Sequence, residues 1–293
     1  MWYQPRMDDR LRRARASLRG LAVGDALGES LTDAAGRNLP DAPWRWTDDT
    51  EMACSIVHVL AAHGRLDPEA LETSFVDHHD PDRGYGAGVD AMMRELGRRR
   101  VSLRVLATET FGGEGSWGNG GSMRVAPLGA WFAGDPATAA REAAVSARVT
   151  HTHPEGVAGA VATAVAASLA ASGAPVGELY AEVLAHTPAG RVRDGVETAT
   201  TLADADPADA AAALGTGARQ SAPDTVPLAL WIVARHLEDY REAVWTAAAT
   251  AVDTDTVCAI VGGIVAGRLG SAGVPKEWRT ACEPLPPWLT SPS

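Results

Sequence analysis

Two short acidic segments hold the side chains best suited to chemistry, and an apolar run follows each of them closely. Carboxylate and hydroxyl oxygens without His or Cys suit Mg²⁺, Mn²⁺ or Ca²⁺ rather than Zn²⁺. Because residues i and i+2 of an entry turn can project to the same side, Asp253 and Asp255 could converge on one cation. The side chains that could bind metal are Thr47, Asp48, Asp49, Asp253, Asp255 and Thr256.

Helix capping is the alternative explanation for both segments. Asp and Thr are good N-cap residues, and one of them at a helix start most often only satisfies free backbone N–H groups. Each segment, however, holds more capping residues than one cap needs. Four carboxylates brought close together would also repel one another unless cations lay among them. A metal site and simple capping are both open at this point.

A glycine-rich segment, residues 112–124, contains six glycines in thirteen residues. Such a backbone can approach a ligand closely and can present N–H groups to phosphate, although the Gly-Lys-Ser/Thr sequence of a P-loop does not follow. The alternative is a flexible surface loop, against which Trp117 argues because a large aromatic side chain usually packs on something. We expect Arg124 to be either a phosphate ligand or an internal ion-pair partner.

Two further segments carry polar residues of interest. His151 and His153 lie two residues apart, without the spacing of a helical metal motif. We predict that His151 contacts a ligand or donates a hydrogen bond near the site, whereas a structural or capping role is equally open for His153. Asp25 lies near the predicted end of the first helix, where a carboxylate opposes the helix dipole. We therefore expect Asp25 to have a specific hydrogen-bond partner and a structural role.

The elements that must position these residues are predicted to be helices. The predicted helices are residues 12–23, 51–63, 68–78, 88–96, 136–147, 155–171, 176–185, 189–203, 207–215, 225–237, 240–250 and 256–269. Several begin with Pro, Asp, Ser or Thr, and no stretch alternates like a β-strand. We predict an all-α fold, an orthogonal helical bundle around one or two long buried helices. Because no long linker or repeat interrupts the chain, we predict one domain over residues 1–293, with residues 1–8 and 283–293 as peripheral tails.

Composition narrows the class of protein. A net charge of −11 argues against a general nucleic-acid binder, although a bound metal could still attract a small anionic ligand. Three cysteines without a CxxC pair argue against a disulfide framework and favour the reducing cytosol. The N-terminus lacks the apolar run of a signal peptide, and the Ala-rich stretch 157–172 is short for a membrane span. We predict a soluble cytoplasmic protein, monomeric or a small homo-oligomer, without membrane or nucleic-acid partners.

Five segments, in this order, resemble motifs of the ADP-ribosylglycohydrolase family: GLAVGDALG, WTDDTEMA, GSWGNGGSMRVAPLG, VTHTHPEG and DTDTVCAIVGGIVAG. Residues 224–230, DTVPLAL, also resemble the segment that the family carries before the last motif. The resemblance covers about residues 15–270. It implies an all-α fold and hydrolysis of a glycosidic or ester bond at the anomeric carbon of an ADP-ribosyl group, carried by a protein side chain or a small molecule.

The resemblance also implies a site. Two Mg²⁺ or Mn²⁺ ions would be held by the six residues of the acidic segments. Asp48, Asp49 and Asp255 would be catalytic, with Asp48 or Asp49 acting as general base or orienting the attacking water. The diphosphate and ribose pocket would be lined by Gly115, Ser116, Trp117, Gly118, Asn119 and His151.

The sequence departs from the family pattern at three points. Thr32 stands where many members have Glu, and Glu29 or Asp33 could replace that carboxylate. Ala and Val at residues 251–252 stand where a glycine pair is usual, and the link between the first helix and the first acidic segment is short. These departures keep two alternatives open: a non-catalytic ADP-ribose binder, or a hydrolase of another ribosyl or nucleoside compound on the same fold.

Overall fold

The computed structural model describes residues 7–32, 34, 36–99 and 101–289. Within these residues the chain forms α-helices joined by turns and 3₁₀ segments, with isolated β-bridges in place of strands. The helices are α1 (Met7–Ser30), α2 (Asp48–His63), α3 (Pro68–Asp77), α4 (Ala87–Arg99), α5 (Leu103–Glu109), α6 (Gly120–Met123), α7 (Ala126–Trp131), α8 (Pro136–Ala147), α9 (Pro154–Ser172), α10 (Val176–His186), α11 (Arg191–Thr201), α12 (Pro207–Leu214), α13 (Ala222–His236), α14 (Tyr240–Thr250), α15 (Thr254–Leu269) and α16 (Lys276–Ala281). The prediction of an all-α fold is confirmed.

Helix α1 extends well beyond the predicted residues 12–23 at both ends. Its first turn contains Asp8 and Asp9, whose carboxylates favour the positive end of the helix dipole. Of the residues predicted to form a peripheral tail, Met7 and Asp8 are exposed and belong to the first turn of α1, and residues 1–6 lie outside the described residues. At the other end α1 continues to Ser30, so Asp25 lies inside the helix rather than at its end.

The glycines of α1 serve a close helix–helix contact instead of ending the helix. A Cβ on Gly24 would lie 2.2 Å from the carbonyl oxygen of Cys258, and one on Gly28 would lie 2.7 Å from that of Thr254. Any side chain at either position would collide with the backbone of α15. The two helices therefore lie in direct backbone contact, which places the end of α1 beside the N-terminus of α15.

The short helices were not predicted from the sequence. Helices α5, α6, α7 and α16 contain four to seven residues each, too few for a periodic apolar pattern to show. Helix α6 begins inside the glycine-rich segment, so that segment is only partly a loop. The other predicted helices are present with ends shifted by a few residues, as for α2, which begins at Asp48 rather than Glu51.

Helices α9 and α15 form the centre of the molecule. In α9 every residue from Gly156 to Ala170 is buried, and in α15 every residue from Thr256 to Gly267 is buried. Helix α9 is long and apolar enough to cross a membrane, but most of it is buried inside the protein, as in the core helix of a soluble protein. The two buried helices anchor the elements that carry the acidic and glycine-rich segments.

The described part of the C-terminal tail packs against the segment that precedes α2. The backbone N–H of Trp44 donates to the carbonyl of Ala281, and that of Glu283 donates to the carbonyl of Trp44. Trp288 stacks on His78 with 3.7 Å between ring centroids. The contacts of Trp44 hold the segment that leads into α2, and the contact of Trp288 covers the C-terminal end of α3.

Candidate active site

A cavity of about 370 Å³ opens between the N-termini of α2 and α15 and the glycine-rich segment. Its walls include most of the residues that the sequence singled out: Asp48, Asp49, Asp253, Asp255, Thr256, Ser116, Trp117, Gly118, Asn119 and His151. Thr47 and Gly115 are not part of its lining. Segments separated by up to two hundred residues in the chain therefore face one space.

Asp25 organises the first turn of α2. Its carboxylate accepts hydrogen bonds from the backbone N–H groups of Thr47 at 3.0 Å and Thr50 at 3.1 Å, and from both threonine hydroxyls at 2.9 Å and 2.5 Å. The side chain is completely buried. The expected specific partner of Asp25 thus exists, and it is the entrance of α2. Burial raises the pKa of Asp25 to about 7 despite these hydrogen bonds, and the charge of Asp255 adds to the rise.

Capping explains Thr47 but not the acidic residues of α15. Thr47 is the N-cap of α2, and its hydroxyl accepts a hydrogen bond from the N–H of Asp49. Asp253 is the N-cap residue of α15 but makes no capping hydrogen bond with its side chain. Instead it accepts a hydrogen bond of 2.6 Å from the amide of Asn119 in the glycine-rich segment. The second acidic segment is therefore directed at the cavity rather than at its own helix.

The carboxylates of the cavity raise one another's pKa. Burial raises the pKa of Asp48 and of Asp49 well above the usual range, and the charges of Asp25 and Asp255 raise both further. Burial and Asp255 raise the pKa of Asp253 to about 6. One carboxylate oxygen of Asp49, Oδ1, is buried without a hydrogen-bond partner. An unpaired buried carboxylate is costly, so this cluster favours the binding of positive charge.

The donor set fits a hard divalent cation in its chemistry. All six candidate ligands offer oxygen, and the free oxygen of Asp49 is one that a cation would satisfy. Within the described part of the chain, no three His, Cys, Asp or Glu side chains form a ready-made metal cluster. The acidic residues therefore face a common cavity without the closed geometry of a preformed cage.

The glycine-rich segment folds around the ring of His151. A Cβ on Gly118 would lie 3.1 Å from Nε2 of His151, and one on Gly120 would lie 2.8 Å from its Cε1. Gly115 has a φ of +77° and packs on Thr152, whose hydroxyl would lie 2.1 Å from an added Cβ. The segment is thus shaped by contact with residues 150–153, which corrects the alternative of a free surface loop and explains why Gly115 does not reach the cavity.

Trp117 and Arg124, both in this segment, lie in different environments. Trp117 is 41% exposed at the cavity mouth, with its ring edge-on to His153 and the guanidinium of Arg191 5.4 Å away. Arg124 is completely buried, does not line the cavity and pairs with no carboxylate among the described residues. Both roles expected for Arg124, phosphate ligand and ion-pair partner, are therefore wrong.

Several parts of the cavity wall were missed by sequence reasoning. Residues between Gly84 and Met92 line one side, and their three glycines in five residues were an available signal. Phe111 stands at the rim, 66% exposed and with a φ of +50°. Arg219 and Gln220 also reach the cavity. No local pattern marks these two, because only the packing of the turn before α13 brings them there.

Two residues, Glu29 and Asp33, were expected to replace the glutamate that many family members carry at the position of Thr32. Glu29 lies on the last turn of α1, where burial and the charge of Asp255 raise its pKa, but it does not line the cavity. Thr32 does not line it either. Asp33 lies outside the described residues. The carboxylates that face the cavity are those of the two acidic segments.

The fold and the cavity together define an all-α protein with a carboxylate-lined site, and comparison with known proteins identifies its family. The family model of ADP-ribosylglycohydrolase matches residues 6–291. The chain belongs to the ADP-ribosylglycohydrolase family and is a hydrolase.

Individual relatives agree with this assignment. The chain is 30% identical over 273 residues to ADP-ribosylhydrolase ARH3 of Bos taurus, covering 81% of this chain and 74% of that protein. It is 26% identical over 305 residues to ADP-ribosylarginine hydrolase Tri1 of Pseudomonas putida (strain GB-1), covering 94% and 77%. A solved structure titled ADP-ribosylglycohydrolase-related protein complex superposes with a TM-score of 0.70 at 25% identity, covering 94% of each chain.

Proposed function

We propose that this protein is a metal-dependent hydrolase that cleaves a glycosidic or ester bond at the anomeric carbon of an ADP-ribosyl group. The observation that carries the proposal is the meeting of two acidic helix entrances with the glycine-rich segment in one cavity. A ligand with a diphosphate and a ribose needs both kinds of surface. The printed names of the relatives, ADP-ribosylhydrolase and ADP-ribosylarginine hydrolase, support the same substrate class.

Two Mg²⁺ or Mn²⁺ ions are part of this proposal. The residues that would hold them are Thr47, Asp48, Asp49, Asp253, Asp255 and Thr256. Divalent cations bound there would offset the charge of the carboxylates and the diphosphate, polarise a water molecule and grip ribose hydroxyls. The free Oδ1 of Asp49 and the raised pKa values of the aspartates support the choice of a cation.

The carboxylates of the cavity have the chemical roles in bond cleavage. Asp48 or Asp49 acts as the general base that takes a proton from the attacking water, or holds that water on the anomeric carbon. Burial makes both carboxylates stronger bases than an exposed aspartate. Asp255 lines the same cavity, and we assign it to the same catalytic group.

The glycine-rich segment binds the phosphate end of the substrate. Among the described residues, the backbone N–H groups of Ser116 and Trp117 donate to no protein acceptor, so they are available to a ligand. The N–H groups of Gly118 and Asn119 are used within the protein, by the hydroxyl of Ser116 and the carbonyl of Gln220. The phosphate contacts are therefore expected from the first half of the segment and from His151.

The test is hydrolysis of peptides that carry ADP-ribosyl-arginine or ADP-ribosyl-serine, with Mg²⁺, with Mn²⁺ and after EDTA. We expect metal-dependent release of ADP-ribose. Asp48→Asn and Asp255→Asn should each lower the rate about 100-fold or more, whereas Asp209→Asn, an exposed aspartate outside the cavity, should leave it unchanged.

Other outcomes would point elsewhere. Tight binding of ADP-ribose in calorimetry without turnover of any ADP-ribosylated substrate would identify a non-catalytic binder. Turnover of another ribosyl or nucleoside compound alone would replace the substrate class. Full activity in Asp48→Asn or Asp255→Asn would contradict the proposed mechanism.

A further inference from the structure

Arg124 is a fully buried cation whose hydrogen bonds to oxygen go to Ser146 and to Thr150, the residue before His151. Its Nη2 donates to the carbonyl oxygen of Ser146 at 2.7 Å, and its Nη1 donates to the hydroxyl of Thr150 at 3.0 Å. The ring of Phe75 lies 4.8 Å from the guanidinium carbon. A charge of this kind is expensive to bury, so its position beside the wall of the cavity calls for an explanation.

The hydroxyl of Thr150 connects Arg124 to His151. Thr150 is completely buried, and its Oγ1 lies 2.8 Å from Nδ1 of His151. Arginine is always a donor, so it occupies a lone pair of this oxygen. Among the described residues, Nδ1 is the acceptor within reach of the single hydroxyl proton. The threonine therefore donates to Nδ1, and the proton of the neutral imidazole is on Nε2.

Nε2 of His151 is the ring nitrogen that faces the glycine-rich segment. It would lie 3.1 Å from a Cβ on Gly118 and 3.0 Å from one on Gly120, so the two glycines leave it uncovered. No acceptor for its proton exists among the described residues, and His151 lines the cavity. A side chain at either glycine would cover the one polar atom that this ring offers to a ligand.

We propose that Arg124, acting through Thr150, fixes the tautomer of His151 so that Nε2–H is a neutral hydrogen-bond donor to an anionic oxygen of the ligand. Arg124 and Thr150 are then positioning residues, and His151 is the residue that touches the ligand. The identity of that oxygen as a phosphate oxygen of an ADP-ribosyl group rests on the proposed function. Burial, and then the charge of Arg124, lower the pKa of His151 to about 3, which keeps the ring neutral at physiological pH.

The tautomer can be read directly by nitrogen NMR on protein labelled with ¹⁵N-histidine. Long-range ¹H–¹⁵N correlation distinguishes Nε2–H from Nδ1–H, and a His151→Gln sample assigns the signal among the eight histidines. We expect Nε2–H in the wild type and in Thr150→Ser, which keeps the hydroxyl. Thr150→Val removes the hydroxyl, and Arg124→Met removes the cation that polarises this hydroxyl as a donor and disfavours a proton on Nδ1, so both should give mixed tautomers.

Binding of ADP-ribose, measured by calorimetry on the same proteins, gives the second readout. Thr150→Val should weaken binding about tenfold, and Thr150→Ser should restore it. The matched control is Thr163→Val, the same substitution at a buried hydroxyl of α9 that has no hydrogen-bond partner and lies outside the cavity. It should change neither the tautomer nor the affinity.

The two readouts separate this inference from the proposed function. An Nδ1–H tautomer in the wild type, or an unchanged tautomer in Arg124→Met and Thr150→Val, would overturn the role of Arg124 whatever the protein binds. An Nε2–H tautomer that responds to these variants, in a protein that does not bind ADP-ribose, would rule out ADP-ribose as the ligand. The control of the His151 tautomer by Arg124 and Thr150 would still stand.

Discussion

At the scale of single residues, close contacts that leave no room for an added side chain decide the shape of the cavity. His151 is held between a hydroxyl on one side and the backbone of two glycines on the other. Glycine is required there for its small size, since neither Gly118 nor Gly120 has a positive φ. This distinguishes them from the glycines at the start of the segment, such as Gly113, which has a φ of +94° and open space beside it.

Gly120→Ala should therefore damage the site through His151. The added Cβ would lie 2.8 Å from the ring, so the imidazole must move. We expect a loss of about 1–3 kcal/mol in the free energy of unfolding and weaker binding of ADP-ribose, measured by chemical denaturation and calorimetry. Gly88→Ala is the control, because Gly88 also lines the cavity but has nothing within 4 Å of the added atom. Equal effects of the two variants would contradict the argument.

His151 also predicts how stability responds to acid. Its folded pKa of about 3 lies below the usual value of 6.5, so below pH 6.5 the unfolded state binds a proton that the folded state refuses. The stability present above pH 6.5 is lost as the pH falls, by at most about 1.4 kcal/mol per pH unit from this group. The drop in free energy of unfolding from pH 7 to pH 5 should be smaller in His151→Gln than in the wild type.

At the scale of elements, the contact between α1 and α15 sets the geometry of the site. Small residues along α1 let the two helix backbones touch, and this brings the end of α1 to the start of α15. From the same helix, Asp25 binds the first turn of α2. One helix therefore fixes the entrances of both helices that carry acidic segments, although its own residues supply little of the cavity lining.

Gly24→Ala should separate these entrances. Its Cβ would lie 2.2 Å from a carbonyl oxygen of α15, and backbone cannot swing away like a side chain. We expect a loss of about 3 kcal/mol or more in the free energy of unfolding, together with reduced hydrolase activity in the fraction that remains folded. Gly177→Ala in α10 has open space and should be neutral or slightly stabilising. A fully stable, fully active Gly24→Ala protein would show that the close contact is not needed.

The long helices, and the approach of the two acidic segments to one another, could be predicted from the sequence. The short helices and the positions of Arg124 and Arg219 could not. Long helices are visible as apolar runs that begin at capping residues, as for α14, predicted at residues 240–250 and found there. Helix α6 has four residues and no period to detect. Arg124 was misjudged because burial of a cation without a carboxylate partner depends on the packing of distant elements. Arg219 reaches the cavity for the same reason.

At the scale of the whole molecule, the acidic balance of the protein continues into its cavity. The chain carries a net charge of −11, and the cavity adds four aspartates against one arginine, Arg219, among the lining residues described. An anionic substrate would be repelled by such a surface in the absence of bound cations. Cation binding would therefore favour binding of an anionic substrate. It would also stabilise the folded state, because each buried carboxylate costs free energy while it is unpaired.

Mg²⁺ or Mn²⁺ should consequently stabilise the protein in the absence of substrate. A ligand that binds only the folded state raises the free energy of unfolding by about 2.7 kcal/mol at 100 times its Kd, which corresponds to a rise in Tm of roughly 4–5 °C for a chain of this size. Calorimetric melting with and without metal, after EDTA treatment, measures the rise.

Asp255→Asn should abolish this rise in Tm. The metal-free variant should also melt higher than the metal-free wild type, because it lacks a charge that raises the pKa of Asp25, Asp48 and Asp49. Asp209→Asn should keep the full rise, since this aspartate is exposed and remote from the cavity. An identical rise in all three proteins would place the metal outside the acidic segments, and hydrolysis that survives EDTA would show that the carboxylates act without it.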